Sequence, residues 1–211
     1  MTKVKICGLS RTEDIATANS AMPDYIGLVF APSRRRIDEK TAAILKEQLD
    51  PRIKVAGVFV NHDIEAIARL HQDGVIDVAQ LHGDEDDDYV ARLQDSCGCP
   101  VIKAIGIGET LPPLPRSADY LLFDTLSSQR GGTGQTFDWN VIEDVASKPY
   151  FLAGGLTPDN VTDAIKRLTP FCVDVSGGVE TDGLKDARKI HEFVCLVRKD
   201  DLATELIEGS K

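Results

Sequence analysis

A single-domain α/β fold, the (β/α)8 TIM barrel, is predicted by three features of the chain. Eight short β-rich runs are present, helical spacing separates most of them, and glycine pairs close the last two. Such alternation joins parallel strands through right-handed crossovers. Eight units within 211 residues sit at the lower size limit of a barrel. A doubly wound open sheet is the competing architecture.

The β-rich runs are Lys3–Cys7, Tyr25–Phe30, Ile53–Val60, Val75–Leu81, Val101–Ile105, Tyr120–Phe123, Tyr150–Ala153 and Phe171–Val175. A helix is expected over Asp14–Ala21. Another is expected over Asp38–Leu49, where Ala42, Leu45 and Leu49 form one apolar stripe. Ile64, Ile67 and Leu70 mark the same pattern within His62–Leu70. Further helices are expected at Asp86–Leu93, Asp138–Val145, Pro158–Leu168 and Leu184–Val197. Thr157 can cap the helix that opens with Pro158 in its first position. Between the fifth and sixth runs lie Pro112, Pro113 and Pro115, so the helix there should be a single turn or missing. No linker or composition break divides residues 1–211, and a frayed tail is expected from about residue 200.

The chain carries 34 Asp+Glu against 24 Lys+Arg, a formal charge of -10. An acidic surface argues against nucleic acid and anionic membranes as partners, because both need Lys/Arg to neutralise phosphates. A small anion answers to the local field of its pocket and stays open as a substrate. Five cysteines make no even framework, so reduced thiols and a cytoplasmic location are expected. Cys97-Gly98-Cys99 is too tight for zinc, and no metal site is expected. Met1–Cys7 lacks a signal-peptide core, and no apolar run approaches the roughly 20 residues of a membrane span. The acidic run Asp84–Asp88 lacks calcium-loop spacing and reads as the first turn of a helix, where carboxylates meet the dipole favourably.

Two segments repeat one pattern: Leu152-Ala153-Gly154-Gly155-Leu156 and Val175-Ser176-Gly177-Gly178-Val179. Both read strand, Gly-Gly, apolar residue, and both follow the last two strands. Barrels hold phosphate groups there on backbone N–H groups, which a Cβ would keep at a distance. Gly154, Gly155, Ser176, Gly177 and Gly178 are the expected phosphate-binding residues.

Further motifs stand at successive strand ends. They are Lys5-Ile6-Cys7-Gly8-Leu9, Gly57-Val58-Phe59-Val60-Asn61, Gln80-Leu81-His82-Gly83-Asp84-Glu85 and Phe123-Asp124-Thr125. Gly131-Gly132-Thr133-Gly134 with Phe137-Asp138-Trp139, Pro158-Asp159-Asn160-Val161 and Val173–Glu180 complete the set. Together they resemble the phosphoribosylanthranilate isomerase family over nearly the whole chain. The resemblance implies a barrel that isomerises N-(5-phosphoribosyl)anthranilate to the 1-deoxyribulose 5-phosphate in tryptophan biosynthesis, without cofactor or metal.

That Amadori rearrangement needs an acid to open the ribose ring and a base to take a proton from the neighbouring carbon. The resemblance makes Cys7 the base and Asp124 the acid, both at strand ends on the catalytic rim. It also implies substrate contacts from Gln80, His82 and Asp174. A thiolate calls for a nearby cation, and an acidic Asp for desolvation or a neighbouring carboxylate. Lys5 shares the face of Cys7 by strand alternation, so Lys5 and Asp174 are expected to pair beneath the site and position Cys7. The family binds the anthranilate carboxylate with an arginine after the second strand, where this chain has Arg34-Arg35-Arg36. Anchoring on Ser33 selects Arg35 and counting from Phe30 selects Arg36; Arg35 is preferred because Ile37 then takes the following apolar position.

His62, His71 and His191 are expected at the surface or in packing, and Gly131–Gly134 as a mobile loop over the substrate. A related phosphate-binding barrel acting on another ribose phosphate is the alternative enzyme. A phospho-ligand binder without catalysis is the alternative outside enzymes. A monomer is the default, with a homodimer as the alternative.

Overall fold

The structure is a computed structural model that describes residues 1–126, 136–143, 145 and 148–208. Eight parallel strands close into a barrel in sequence order: β1 Lys3–Cys7, β2 Tyr25–Val29, β3 Lys54–Phe59, β4 Val78–Leu81, β5 Val101–Ile107, β6 Tyr120–Thr125, β7 Tyr150–Leu152 and β8 Cys172–Val175. The open-sheet alternative falls on the pairing of β1 with β8, which sets Lys5 opposite Asp174. Six α-helices surround the strands: α1 Thr12–Ala21, α2 Glu39–Gln48, α3 Ile64–Gln72, α4 Asp87–Cys97, α5 Val161–Leu168 and α6 Ala187–Glu208. Between β5 and β6 the chain forms no helix, as the proline-rich interval predicts.

Two layers of apolar packing support the barrel. Inside it, Tyr25, Ala56, Val78, Ile102, Leu122, Phe151 and Cys172 fill the floor. Tyr25 and Tyr120 meet the Phe151 ring edge-on, at 5.5 and 5.7 Å between centroids. Outside it, Ile6, Leu28, Phe59, Leu81, Phe123 and Val173 pack with the helix stripes, including Ala42 and Leu45 of α2 and Ile67 and Leu70 of α3. Caps fix where the helices begin. Asp38, Asp63 and Asp86 each accept a hydrogen bond from the N–H three residues on. Thr157 accepts from the Asp159 N–H at 3.3 Å and its carbonyl from the Val161 N–H, so the turn holding Pro158 leads into α5.

Three expectations need correction. The helix expected over Asp138–Val145 is a single 3-10 turn, Trp139–Ile142. The Asp138 carboxylate accepts from both the backbone N–H and the side-chain amide of Asn140, a local closure that competes with α-helical bonding. The last helix starts at Ala187 rather than Leu184, because Glu180–Thr181 (β9) and Leu184–Lys185 (β10) pair as a hairpin. Its turn places Asp182 and Gly183 at φ 52° and 79°. Two left-handed residues in succession are the twist-matched geometry that Asp-Gly favours, so the signal stood in the sequence. Finally, α6 continues through Glu208, where a frayed tail was expected; no Gly or Pro interrupts it before Gly209. Gly131–Gly134, the expected lid, lies outside the described residues.

Candidate active site

The C-terminal ends of the strands open into a cavity of about 340 Å³. Cys7 ends β1 and Asp124 lies in β6 one residue before its end; both line this cavity. Gln80 of β4, His82, Arg35 and Asp174 of β8 stand on its walls, with Gly154, Gly155, Ser176, Gly177 and Gly178 at one end. Of the sequence-derived site residues, Arg36 alone is absent from the lining. Its backbone bridges to Val29 and the Ile37 N–H bonds the Val29 carbonyl, which buries Ile37 and leaves Arg36 exposed.

Beneath Cys7 lies a buried ion pair. Lys5 Nζ donates to Asp174 Oδ2 at 2.8 Å, with the Lys5 side chain fully enclosed. At that distance, with an effective dielectric of about 20, the attraction is about 6 kcal/mol. Burial pushes Lys5 down and the Asp174 and Cys7 charges push it up further, so its ammonium holds its proton above the ordinary lysine range. Burial likewise pushes Asp174 up while Lys5 pulls it down. The short contact with a permanently charged ammonium keeps the pair ionised at neutral pH. For Cys7, burial pushes the thiol above its ordinary value of 9.0, and Lys5 and Lys185 offset that only in part. The cation expected beside the thiol is present, yet desolvation outweighs it. Gly27 of β2 makes room for this sulfur: a Cβ there would lie 2.5 Å from Cys7 Sγ.

On the opposite wall, Asp124 is held at both oxygens. Its Oδ1 accepts from the Thr125 N–H at 2.8 Å, and its Oδ2 lies 3.5 Å from His82 Nε2. Gln80 Nε2 is 3.3 Å from His82 Nδ1. As an amide donor it makes Nδ1 the acceptor, so the imidazole proton sits on Nε2, facing Asp124. Gln80 Oε1 and Asp174 Oδ1 are buried acceptors that lack a hydrogen-bond partner among the described residues. Two unsatisfied acceptors beside one cavity call for donor groups on a ligand.

Glycine shapes the phosphate end by close approach. A Cβ on Gly178 would fall 1.9 Å from the Leu156 carbonyl oxygen, and one on Gly154, at φ +81°, 2.6 Å from Thr125 Oγ1. Gly177 and Gly178 open a 3-10 turn, whose leading N–H groups have no acceptor within the turn. Ser176 Oγ donates to the Cys7 carbonyl at 3.0 Å, tying this end to the base. Gly8, at φ +82°, lets the Arg35 side chain cross: a Cβ there would lie 2.4 Å from Arg35 Cδ.

Sequence reasoning assigned no role to Glu180 within its motif and overlooked Lys185. Both arrive on the β9–β10 hairpin, where they face one another in register. It also overlooked the buried Lys103–Glu85 pair at 2.9 Å, which holds the loop after β4. Lys103 also donates to the Gly83 carbonyl, and Glu85 accepts from the N–H groups of Asn61 and Gly83. Within the acidic run, Asp86 caps α4 as expected, and Glu85 instead serves this interior network. Among the described residues, no group of acidic, His or Cys side chains is arranged to hold a metal ion. No described helix is long and apolar enough to cross a membrane.

Comparison with known proteins agrees with this geometry. The family model for N-(5'-phosphoribosyl)anthranilate (PRA) isomerase matches residues 4–195. The isomerase of that name from Endomicrobium trichonymphae is 47% identical over 199 residues, covering 94% of this chain and 99% of that protein. The phosphoribosyl anthranilate isomerase structure from Thermus thermophilus superposes with a TM-score of 0.83 at 32% identity, covering 94% of this chain and 99% of that one. A further isomerase structure, in complex with reduced 1-(o-carboxyphenylamino)-1-deoxyribulose 5-phosphate, gives a TM-score of 0.79 at 30% identity, covering 94% and 100%.

Proposed function

The chain belongs to the N-(5'-phosphoribosyl)anthranilate isomerase family, and from that premise we propose that Cys7 and Asp124 carry its acid–base chemistry. The enzyme converts N-(5-phosphoribosyl)anthranilate to 1-(2-carboxyphenylamino)-1-deoxy-D-ribulose 5-phosphate in tryptophan biosynthesis. The observation that supports the residue roles is a single cavity with a thiol on one wall and a carboxyl group on the other.

Asp124 donates its proton to the ribose ring oxygen. The bond from that oxygen to the anomeric carbon breaks, and the anilino nitrogen lone pair forms the Schiff base. Cys7 as thiolate takes the proton from the adjacent carbon, and the C–H electrons move to give the enolamine, which tautomerises to the ketone. His82 sits where it orients Asp124, and Lys5 where its charge favours the thiolate. Gln80 Oε1 and Asp174 Oδ1 accept from sugar hydroxyls. Arg35 holds the anthranilate carboxylate, and the paired glycines with Ser176 hold the phosphate.

Five free thiols fit a reducing cytoplasm, where we place the enzyme, and we take the chain to act as a monomer. Loss of anthranilate-conjugate fluorescence on mixing enzyme with phosphoribosylanthranilate measures turnover. Cys7→Ala and Asp124→Asn should each lower kcat by at least about 100-fold, the usual contribution of an acid or base. Full activity in either variant would overturn the assignment.

A further inference from the structure

Arg35 does not stand free in the cavity wall. Its Nε donates to Glu180 Oε1 at 2.7 Å and its Nη2 to Oε2 at 3.0 Å, a two-pronged grip on one edge of the guanidinium. The grip leaves Nη1 and the second Nη2 hydrogen unused, and these form the other edge of the fork. Glu180 is itself anchored: Lys185 Nζ donates to Oε1 at 2.9 Å and to the Ser176 carbonyl at 2.9 Å. The side chains of Glu180 and Lys185 are 6% and 3% exposed, whereas Arg35 keeps 15% at the cavity. Arg34 adds a contact to Oε2 at 2.6 Å from the rim. Three cations therefore share one carboxylate, leaving a surplus of two positive charges at the mouth of a protein whose net charge is -10.

We propose that Glu180 is a positioning residue that fixes Arg35 so its free edge meets the carboxylate of the substrate. The inference rests on the reading of Arg35 as the carboxylate ligand. A free arginine surrenders side-chain freedom when it binds, and one already gripped does not, so the holder lowers the cost of recognition. The β9–β10 hairpin is the device that carries Glu180 and Lys185 to this place. The Asp182-Gly183 turn sets them side by side, and Lys185 ties the holder to Ser176 at the phosphate end.

The test compares two substrates, phosphoribosylanthranilate and its aniline counterpart without the carboxylate. Arg35→Ala should lower the ratio of their kcat/KM values, and Glu180→Gln should lower it about tenfold, mainly through KM, for loss of a charged two-pronged contact. In the double variant the ratio should equal that of Arg35→Ala alone, since both act through one contact. Glu180→Asp, which keeps the charge on a shorter arm, should fall between wild type and Glu180→Gln. An unchanged ratio in folded Glu180→Gln overturns the proposal. So does a lower KM, which would make Glu180 a competitor for Arg35. If Arg35→Ala itself leaves the ratio unchanged, the reading of Arg35 is what fails.

Discussion

Replacing Lys5 by Met tests whether the buried pair below the base serves stability, chemistry or both. The Lys5–Asp174 attraction of about 6 kcal/mol stands against a desolvation penalty of several kcal/mol for each ion, so the intact pair nets little. Removing one partner is different. Asp174 would stay buried with Oδ2 newly unpaired and Oδ1 already without a partner. The expected loss is about 3–5 kcal/mol, a large share of a domain's stability. Urea unfolding at pH 7 should show it as a lower midpoint with an unchanged slope.

The pH dependence carries the sign. In the wild type, the raised Lys5 value makes its contribution complete below the ordinary lysine value, to be lost only as pH rises through the folded one. The pair is therefore constant from pH 5 to 9. In Lys5→Met, burial raises Asp174 unopposed, the folded state binds the extra proton, and the deficit should shrink as pH falls from 7 towards 5. A companion variant, Lys5→Met with Asp174→Leu, should regain stability without activity. A loss below about 1 kcal/mol, or a deficit independent of pH, would refute the reasoning.

Three further outcomes follow from the same geometry. Because burial holds the Cys7 thiol above 9.0, kcat/KM should rise with pH through and beyond neutrality, and a base limb settled below pH 7 would contradict this. Gly178→Ala, with its Cβ 1.9 Å from the Leu156 oxygen, should cost about 1–3 kcal/mol and raise the inhibition constant of inorganic phosphate; an unaltered constant would separate this turn from the phosphate. Lys103→Met should cost about 3–5 kcal/mol in urea unfolding by stranding Glu85, and a neutral result would show Glu85 already protonated.

The sequence by itself determined the barrel, the rim on which Cys7, Asp124 and the glycine pairs stand, and the missing helix after β5. These follow from local rules. Alternation fixes which face a strand residue takes, proline forbids a helix, and a Gly-Gly pair permits close approach. Barrel closure even made the Lys5–Asp174 pairing legible across 169 residues, because β1 must neighbour β8. Periodicity is silent about partners, however. Only the tertiary structure decided that Arg35 rather than Arg36 faces the cavity, through the Val29–Ile37 bond that orients the loop. It alone decided that Glu180, 145 residues from Arg35, grips that arginine, and that Lys103 reaches Glu85 inside an apparently solvated acidic run. It also decided the balance at Cys7, where enclosure outweighs the neighbouring cation. Desolvation is a property of the packed surroundings, and those exist only once the chain has closed on itself.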